Sequence, residues 1–274
     1  MDILNNIYKS PRKPTVVLLV ETRFSNIRQV VNNYLKSIVC DKIPFCNQCE
    51  MCKKIDNKSY YDLLILDGNK ETIKKQDVLT IQDLFNQSAF EKAKKKFYVI
   101  YSIENSTIES VNSLLKFMEQ PPENTYAILT TRNINKVLPT IRSRCQVYTI
   151  IGNENEFKKN ITDKFNLQKL EVEAACCAYY NIEELQEDIE SKKFELLFKF
   201  ISSLNSSNIP LSTIKELSQN FRELDYPDIY KIFKFCLALK TNKQEEIINV
   251  INTLKYYPIK ILLFNKLLDI TKRK

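Results

Sequence analysis

Histidine is absent from this 274-residue chain, and glycine occurs only twice, at Gly68 and Gly152. Without an imidazole there is no Ser–His or Cys–His nucleophile pair, no imidazole acid–base step and no histidine metal ligand. Two glycines this far apart cannot write GxGxxG or GxxxxGK[ST], so a standard glycine-rich phosphate cradle is excluded. The chain is therefore expected not to bind a nucleotide by itself. Long apolar runs are also missing. The clean run near the start, residues 15–20 (TVVLLV), falls far short of the roughly 20 residues that cross a bilayer or of a signal-peptide core. A cytoplasmic protein with no membrane association is the expectation.

What is present is an ordinary globular balance, 44% apolar and 27% charged residues. At about 100–200 residues per domain the length implies two domains or three small ones. The net charge of +8 is uneven. Residues 1–60 hold ten Lys/Arg against five Asp/Glu, residues 61–150 twelve against ten, and the remainder nineteen against eighteen. The basic excess near the start suits a polyanion or an acidic partner, although on charge alone a solvated lysine-rich surface is the simpler reading. Lysines outnumber arginines 33 to 8, which makes each arginine informative.

Five short runs rich in β-branched and aromatic residues, at 15–20, 62–67, 97–103, 125–131 and 146–151, predict buried strands. Helical spacing fills the intervals at 26–39, 73–89, 106–118 and 138–143. Strands alternating with helices, without hairpin signals, imply a parallel sheet covered on both faces. Gly152 and the polar residues 153–156 mark the end of this α/β domain. Beyond it no strand is predicted. Residues 157–193 read as a small helical unit and 194–274 as four or five longer helices, with Pro210, Pro227 and Pro258 where new helices begin.

Four of the eight cysteines are compressed into thirteen residues, Cys40, Cys46, Cys49 and Cys52, with the spacing C-x5-C-x2-C-x2-C. Each C-x2-C loop brings two thiolates to one side of a tight turn, and Cys40 at the end of the first helix supplies a fourth sulfur. Four thiolates and no histidine suit a structural zinc ion with a closed shell. An iron–sulfur cluster is the rival, although the expected fourth Cys followed by Pro is missing. Cys145, Cys176, Cys177 and Cys236 lie in apolar surroundings and read as core residues. Nothing marks the chain for export, which argues against a disulfide framework.

Residues 113–146 read SLLKFMEQPPENTYAILTTRNINKVLPTIRSRCQ. Pro139 presets a helix start, and the helix is expected to end at Arg144, at the edge of the sheet. A guanidinium there can reach the phosphate of a neighbouring molecule, or form a salt bridge within its own chain.

The order strand, helix, cysteine cluster, strand, followed by LLKFMEQPP, ILTT and LPTIRSRCQ, resembles the bacterial AAA+ clamp-loader family of DNA polymerase III, and within it the delta-prime type of subunit. The resemblance covers residues 10–150 well, and the helical remainder by order and length alone. It implies a RecA-like AAA+ domain over 1–152 carrying a zinc module at about 40–66, a small helical lid over 153–193 and a helical collar over 194–274. It further implies a hetero-pentamer with gamma/tau ATPase subunits and a delta subunit, which uses ATP to place a sliding clamp on primed DNA. In such subunits the Ser-Arg-Cys arginine completes the ATP site of the adjacent gamma/tau subunit. That role falls here to Arg144, with Ser143 and Cys145 as motif neighbours, and Cys40, Cys46, Cys49 and Cys52 take the zinc.

Departures from ATP-binding relatives agree with the missing glycines. The phosphate-loop position reads ETRFSN (21–26), with neither glycine nor lysine. The Walker B position reads YSIEN (101–105), leaving only Glu104, and no arginine lies between Arg144 and Arg222. The resemblance thus implies a subunit that neither binds nor hydrolyses ATP. Two alternatives stay open: a gamma/tau-like ATPase with a degenerate loop, or a zinc-stabilised nucleic-acid-binding module. Thr130 and Thr131 are read as satisfied strand-end hydroxyls, and Lys92, Lys94, Lys95 and Lys96 as a solvated turn with a weaker case for a DNA contact.

Overall fold

The computed structural model describes residues 7–10, 12–204, 209–238, 243–254 and 259–271. It divides into two compact units, Met1–Gly152 and Asn153–Lys274.

The first unit is built on β1 (Val16–Glu21), α1 (Ile27–Val39), α2 (Glu50–Asp56), β2 (Leu63–Asp67), α3 (Lys75–Phe85), β3 (Lys96–Tyr101), α4 (Ile108–Glu119), β4 (Thr125–Thr131), α5 (Pro139–Arg142) and β5 (Gln146–Ile150). All strands run parallel in the order β2-β3-β4-β1-β5. This is the two-sided α/β sheet that the resemblance implies. Successive residues of a strand face opposite sides, so one strand feeds two cores. Val17 and Leu19 pack with Ile27, Val31, Tyr34 and Leu35 of α1. Leu18 packs on the other face with Val78 and Ile81 of α3 and Leu114 of α4. Every residue of β3 is buried.

Element boundaries differ from the sequence reading where a local contact outweighs periodicity. The strand expected over 97–103 ends at Tyr101, because Ser102 turns to φ +51° and starts a short 3-10 turn, Ile103–Asn105. The helix expected over 73–89 is confined to Lys75–Phe85. Ile73 pairs instead with Ser106, and Asp77 accepts a hydrogen bond from the Lys74 amide at 2.7 Å to fix the start. The helix before β5 ends at Arg142 rather than Arg144. Helix α2, inside the cysteine segment, has too few apolar residues to show in the pattern. Lys96 is not part of a solvated turn: it opens β3, is 6% exposed, and donates from Nζ to the carbonyls of Phe85 and Gln87.

The second unit is all helical among the described residues: α6 (Glu154–Phe165), α7 (Lys169–Ala178), α8 (Ile182–Glu190), α9 (Lys193–Leu204), α10 (Leu211–Glu223), α11 (Tyr226–Ala238), α12 (Gln244–Thr253) and α13 (Lys260–Thr271). Pro210 caps α10 and Pro227 is the second residue of α11. Pro258 lies outside the described residues. Tyr179, Phe194, Phe198 and Phe235 form an aromatic cluster that joins residues on both sides of position 193. Beside it Tyr179 donates to Asp188 at 2.6 Å, and Lys231 pairs with the same carboxylate.

Both glycines stand where another backbone leaves no room for a Cβ. A Cβ on Gly68 would meet the Ser102 carbonyl oxygen at 2.5 Å, and one on Gly152 would meet the Arg23 oxygen at 2.0 Å and the Ser25 nitrogen at 2.4 Å. Gly152→Ala is expected to destabilise the α/β unit by about 1–3 kcal/mol, the range for overpacking a close contact. Urea unfolding followed by hydrogen exchange in β1 and β5 checks this, and an unchanged midpoint would contradict the contact.

Candidate functional site

Three constellations in the first unit carry chemistry. The first lies at the C-terminal ends of β1, β4 and β5, the crevice where open parallel sheets place ligands. Here β1 ends in Glu21, 2% exposed, whose Oε1 accepts from Arg132 Nε at 3.2 Å. Arg132 follows β4 directly, and its amide donates to Glu104 Oε1 at 2.9 Å. The one acidic residue of the Walker B position is thus engaged by backbone. Thr130 Oγ1 accepts from the Ser102 amide and Thr131 Oγ1 from the Asn133 amide, both at 3.1 Å, so both hydroxyls are satisfied as expected.

The loop that follows β1 is fastened to the end of β5. The Thr22 amide and hydroxyl both donate to the Ile150 carbonyl at 3.1 Å, and the Gly152 amide donates to Thr22 Oγ1 at 2.9 Å. The Ser25 amide donates to the Thr22 carbonyl, and Asn26 caps α1 by accepting from the Gln29 amide. A phosphate cradle needs free, convergent amides. In this loop two of them, those of Thr22 and Ser25, already have partners.

The second constellation is the Ser-Arg-Cys turn between α5 and β5. Ser143 is exposed and donates to the Thr140 carbonyl at 3.1 Å. Cys145 packs against the core, where burial pushes its thiol up to about 12. Arg144 is exposed. Its guanidinium donates to the Thr140 carbonyl at 3.0 Å and pairs with Glu119, the last residue of α4, at 2.5 Å, with side chains 37% and 51% exposed. The structure therefore shows the intramolecular salt bridge that spacing allowed. Two half-exposed side chains make such a pair worth about 0–1 kcal/mol.

The third is the cysteine cluster. Cys40 follows α1 in extended conformation, Cys46 and Cys49 lie in the connecting loop, and Cys52 is buried in the first turn of α2. Their four sulfurs lie within 4.8 Å of one another, with Cys40–Cys46 at 3.7 Å and Cys40–Cys49 at 3.9 Å. None is in a disulfide. Tetrahedral bonds of about 2.3 Å to one ion set sulfurs about 3.8 Å apart, so the cluster has the dimensions to hold a metal ion. The amides of Cys49 and Gln48 donate to Cys46 Sγ at 3.2 and 3.4 Å, and these hydrogen bonds draw its thiol down to about 6. Burial raises Cys40 above its ordinary value, and burial with a hydrogen bond to Cys49 lifts Cys52 to about 12. Cys176 and Cys236 are buried, and Cys145 and Cys177 are partly so.

Residues 1–154, over half the chain, match the profile of the family described as DNA polymerase III, delta subunit. The chain belongs to this clamp-loader family. An uncharacterized Mycoplasma pneumoniae protein, the MG007 homolog, is 26% identical over 92% of this chain and 97% of its own length. The DNA polymerase III subunit delta' of Bacillus subtilis is 37% identical over 37% of this chain, and the gamma subunit of Buchnera aphidicola (from Acyrthosiphon pisum) is 33% identical over 46%. The matches span only 30% and 37% of these two named relatives. The fold extends further than the sequence similarity. A gamma subunit-related protein of Thermotoga maritima superposes with a TM-score of 0.67 over 98% of this chain and 97% of that one, at 18% identity.

Against the family's expected site, the structure brings the four cysteines together and places Arg144 at the surface. Sequence reasoning missed Glu21 and Arg132, although an arginine directly after β4 in an arginine-poor chain was the available signal. Their pair bridges β1 and β4 beneath the degenerate loop. Glu21 is almost wholly buried and the Arg132 side chain 27% exposed, so removing the arginine weakens the compensation of a desolvated carboxylate. Arg132→Ala is expected to cost on the order of 3 kcal/mol, and Glu21→Gln in the same chain to recover much of it. Urea midpoints of the two variants check the coupling, which a purely additive result would refute.

Proposed function

We propose that this chain is a delta-prime-type subunit of the DNA polymerase III clamp loader that neither binds nor hydrolyses ATP and offers Arg144 to the ATP site of a neighbouring gamma/tau-type subunit. With a delta subunit it completes a hetero-pentamer that places the sliding clamp on primed DNA. Residues 153–193 serve as the lid and 194–274 as the collar. The observation that carries this reading is the state of the loop after β1. It lacks glycine and lysine, two of its amides have partners, and its backbone is pressed against Gly152. Glu21 adds a buried carboxylate where a phosphate would need positive charge.

A chain without its own phosphate site can still serve one across an interface. Arg144 is permanently charged, and its fork matches two phosphoryl oxygens. Charge-assisted hydrogen bonds to a phosphoryl group are worth about 1.5–3 kcal/mol, more than the surface pair with Glu119 is worth. A docked nucleotide therefore outcompetes the carboxylate. Charge that develops on the transferred phosphoryl is stabilised by such an arginine without any proton transfer.

The four cysteines are assigned to a structural zinc ion. Four sulfurs close the shell, leave no position for water, and supply folding energy rather than catalysis. Cys40, Cys46, Cys49 and Cys52 would hold it, and the amide hydrogen bonds to Cys46 share its excess negative charge.

Two outcomes test this reading. In a complex reconstituted with gamma/tau and delta subunits, Arg144→Ala is expected to preserve assembly but lower primed-DNA-dependent ATP turnover at the adjacent site, by as much as about 10³-fold. Glu119→Gln is expected to change turnover by no more than about fivefold, the equivalent of a surface pair. Unchanged turnover in Arg144→Ala, or stoichiometric ATP binding by this chain alone, would overturn the proposal. For the metal, thiolates are the ligands. At about pH 8 Cys46 is already ionised while Cys40 and Cys52 are protonated. Zinc uptake is therefore expected to release at least two protons and to weaken as pH falls, measured by calorimetry in buffers of different ionisation enthalpy. Cys49→Ser is expected to lose the metal, and full retention would show the ligand set to be wrong.

A further inference from the structure

We infer that the β2 edge of the α/β unit, beside the cysteine module, is a binding surface for single-stranded nucleic acid. Strand β2 is a terminal strand, at the opposite edge from β5 and the Arg144 turn. Tyr61 lies two residues before it, and Phe90 comes from the connection between α3 and β3. The two rings touch at a centroid distance of 5.6 Å with planes tilted by 52°, yet they are 78% and 82% exposed. Other large apolar side chains are exposed elsewhere, but here two aromatic rings adjoin each other in water.

The rings stand on a fixed base. The carboxylate of Glu91, 3% exposed, accepts from the Tyr61 amide at 3.1 Å and pairs with Lys54 at 2.8 Å. The Glu91 amide donates to Asp62 at 2.6 Å. These contacts tie the segment carrying Phe90 to the segment carrying Tyr61 without using either ring.

The surroundings are cationic. Lys53, Lys58 and Lys94 are exposed and join no ion pair among the described residues, while the nearby carboxylates are engaged: Glu50 with Lys54 and Lys92, Asp56 with Lys36. Lys92, two residues after Phe90, also lines a groove of about 430 Å³ beside Cys40, Cys46 and Cys49, together with Lys42 and Lys95. Asp41 and Glu50 are the acidic members of that groove.

Exposed rings flanked by lysines match a strand whose bases are unpaired, because stacking needs an open base face and the lysines meet the phosphates. Duplex DNA hides its base faces and would engage the lysines alone. An acidic polypeptide would likewise leave the rings without a stacking partner. The surface is independent of the trans-arginine reading, since it needs neither a partner subunit nor ATP.

The test uses the zinc-loaded full chain and a fluorescent oligothymidine of about twenty nucleotides, with anisotropy read over a series of salt concentrations. Saturable binding is expected, stronger than to a blunt duplex of equal length. Tyr61→Ala with Phe90→Ala is expected to weaken it at least tenfold with an unchanged salt slope, and Phe90→Ala alone to give an intermediate loss. Because both rings are exposed, melting midpoints are expected to stay at the parent value. Lys53→Gln, Lys58→Gln and Lys94→Gln together are expected to flatten the log–log salt slope by about two, at roughly 0.7 per phosphate contact. Absence of saturable binding, undiminished binding in the aromatic variants, or equal competition by polyglutamate would overturn the inference; the last would identify an acidic protein as the occupant.

Discussion

Residues 23–25 rest directly on Gly152, backbone against backbone, and the rest of the strand-end architecture depends on that contact. It places Thr22 where its hydroxyl links the Ile150 carbonyl to the Gly152 amide, and so locks the loop after β1 to the end of β5. A loop held this way has little freedom to wrap an anion, and Glu21 just before it is almost wholly buried. A sealed carboxylate requires a cation, which Arg132 supplies from β4. Arg132 in turn presents its amide to Glu104, drawing the Walker B position into the same network. The carboxylates at the ends of these strands are thus used within the chain.

Two of the eight arginines divide the work of the domain, and burial decides which does what. Arg132 faces a carboxylate that is almost wholly buried, so breaking that pair leaves a desolvated charge and the pair is structural. Arg144 faces Glu119 at the surface, where water screens both charges and the pair contributes about 1 kcal/mol at most. An interaction this weak orients the side chain without committing it. The same guanidinium chemistry is locked at one site and exchangeable at the other, and only the exchangeable one can serve a neighbouring molecule.

The three inner strands β1, β3 and β4 were legible because they are buried on both faces, which leaves apolar runs such as TVVLLV, while the partly exposed edge strands β2 and β5 showed through their β-branched and aliphatic residues. The cysteine cluster was legible because its ligands are close in sequence. Misreadings arose where tertiary contacts overrode periodicity. Ile73 continues the helical pattern of α3 but pairs with Ser106, and Lys96 belongs to a lysine run but hydrogen-bonds to carbonyls in the interior. The partners of Arg132 and Arg144 were out of reach for another reason. Glu21 lies 111 residues from Arg132, and Glu119 lies 25 residues from Arg144, and local spacing carries no information about such pairs. The close approach at Gly152 announced itself only through the scarcity of glycine: a chain that retains two is expected to need both.

The cysteine module is held by its sulfurs together with a small apolar contact, Ile55, Phe45 and Met51 against the core. Helix α2 has seven residues, too few to be stable alone, and buries only Cys52 and Ile55. Its first turn is capped by Cys49, whose sulfur accepts from the Cys52 amide, so the cap is also one of the cluster sulfurs. Lys36, buried in α1, reaches across to Asn47 and Asp56, and Lys54 of α2 pairs with the buried Glu91, so two polar links join the module to the sheet domain. A metal ion on the four sulfurs would fix both ends of the intervening loop at once, and with them the positions of Lys53 and Lys58 that follow. A metal ion there would thus couple the cysteine module mechanically to the cationic β2 edge.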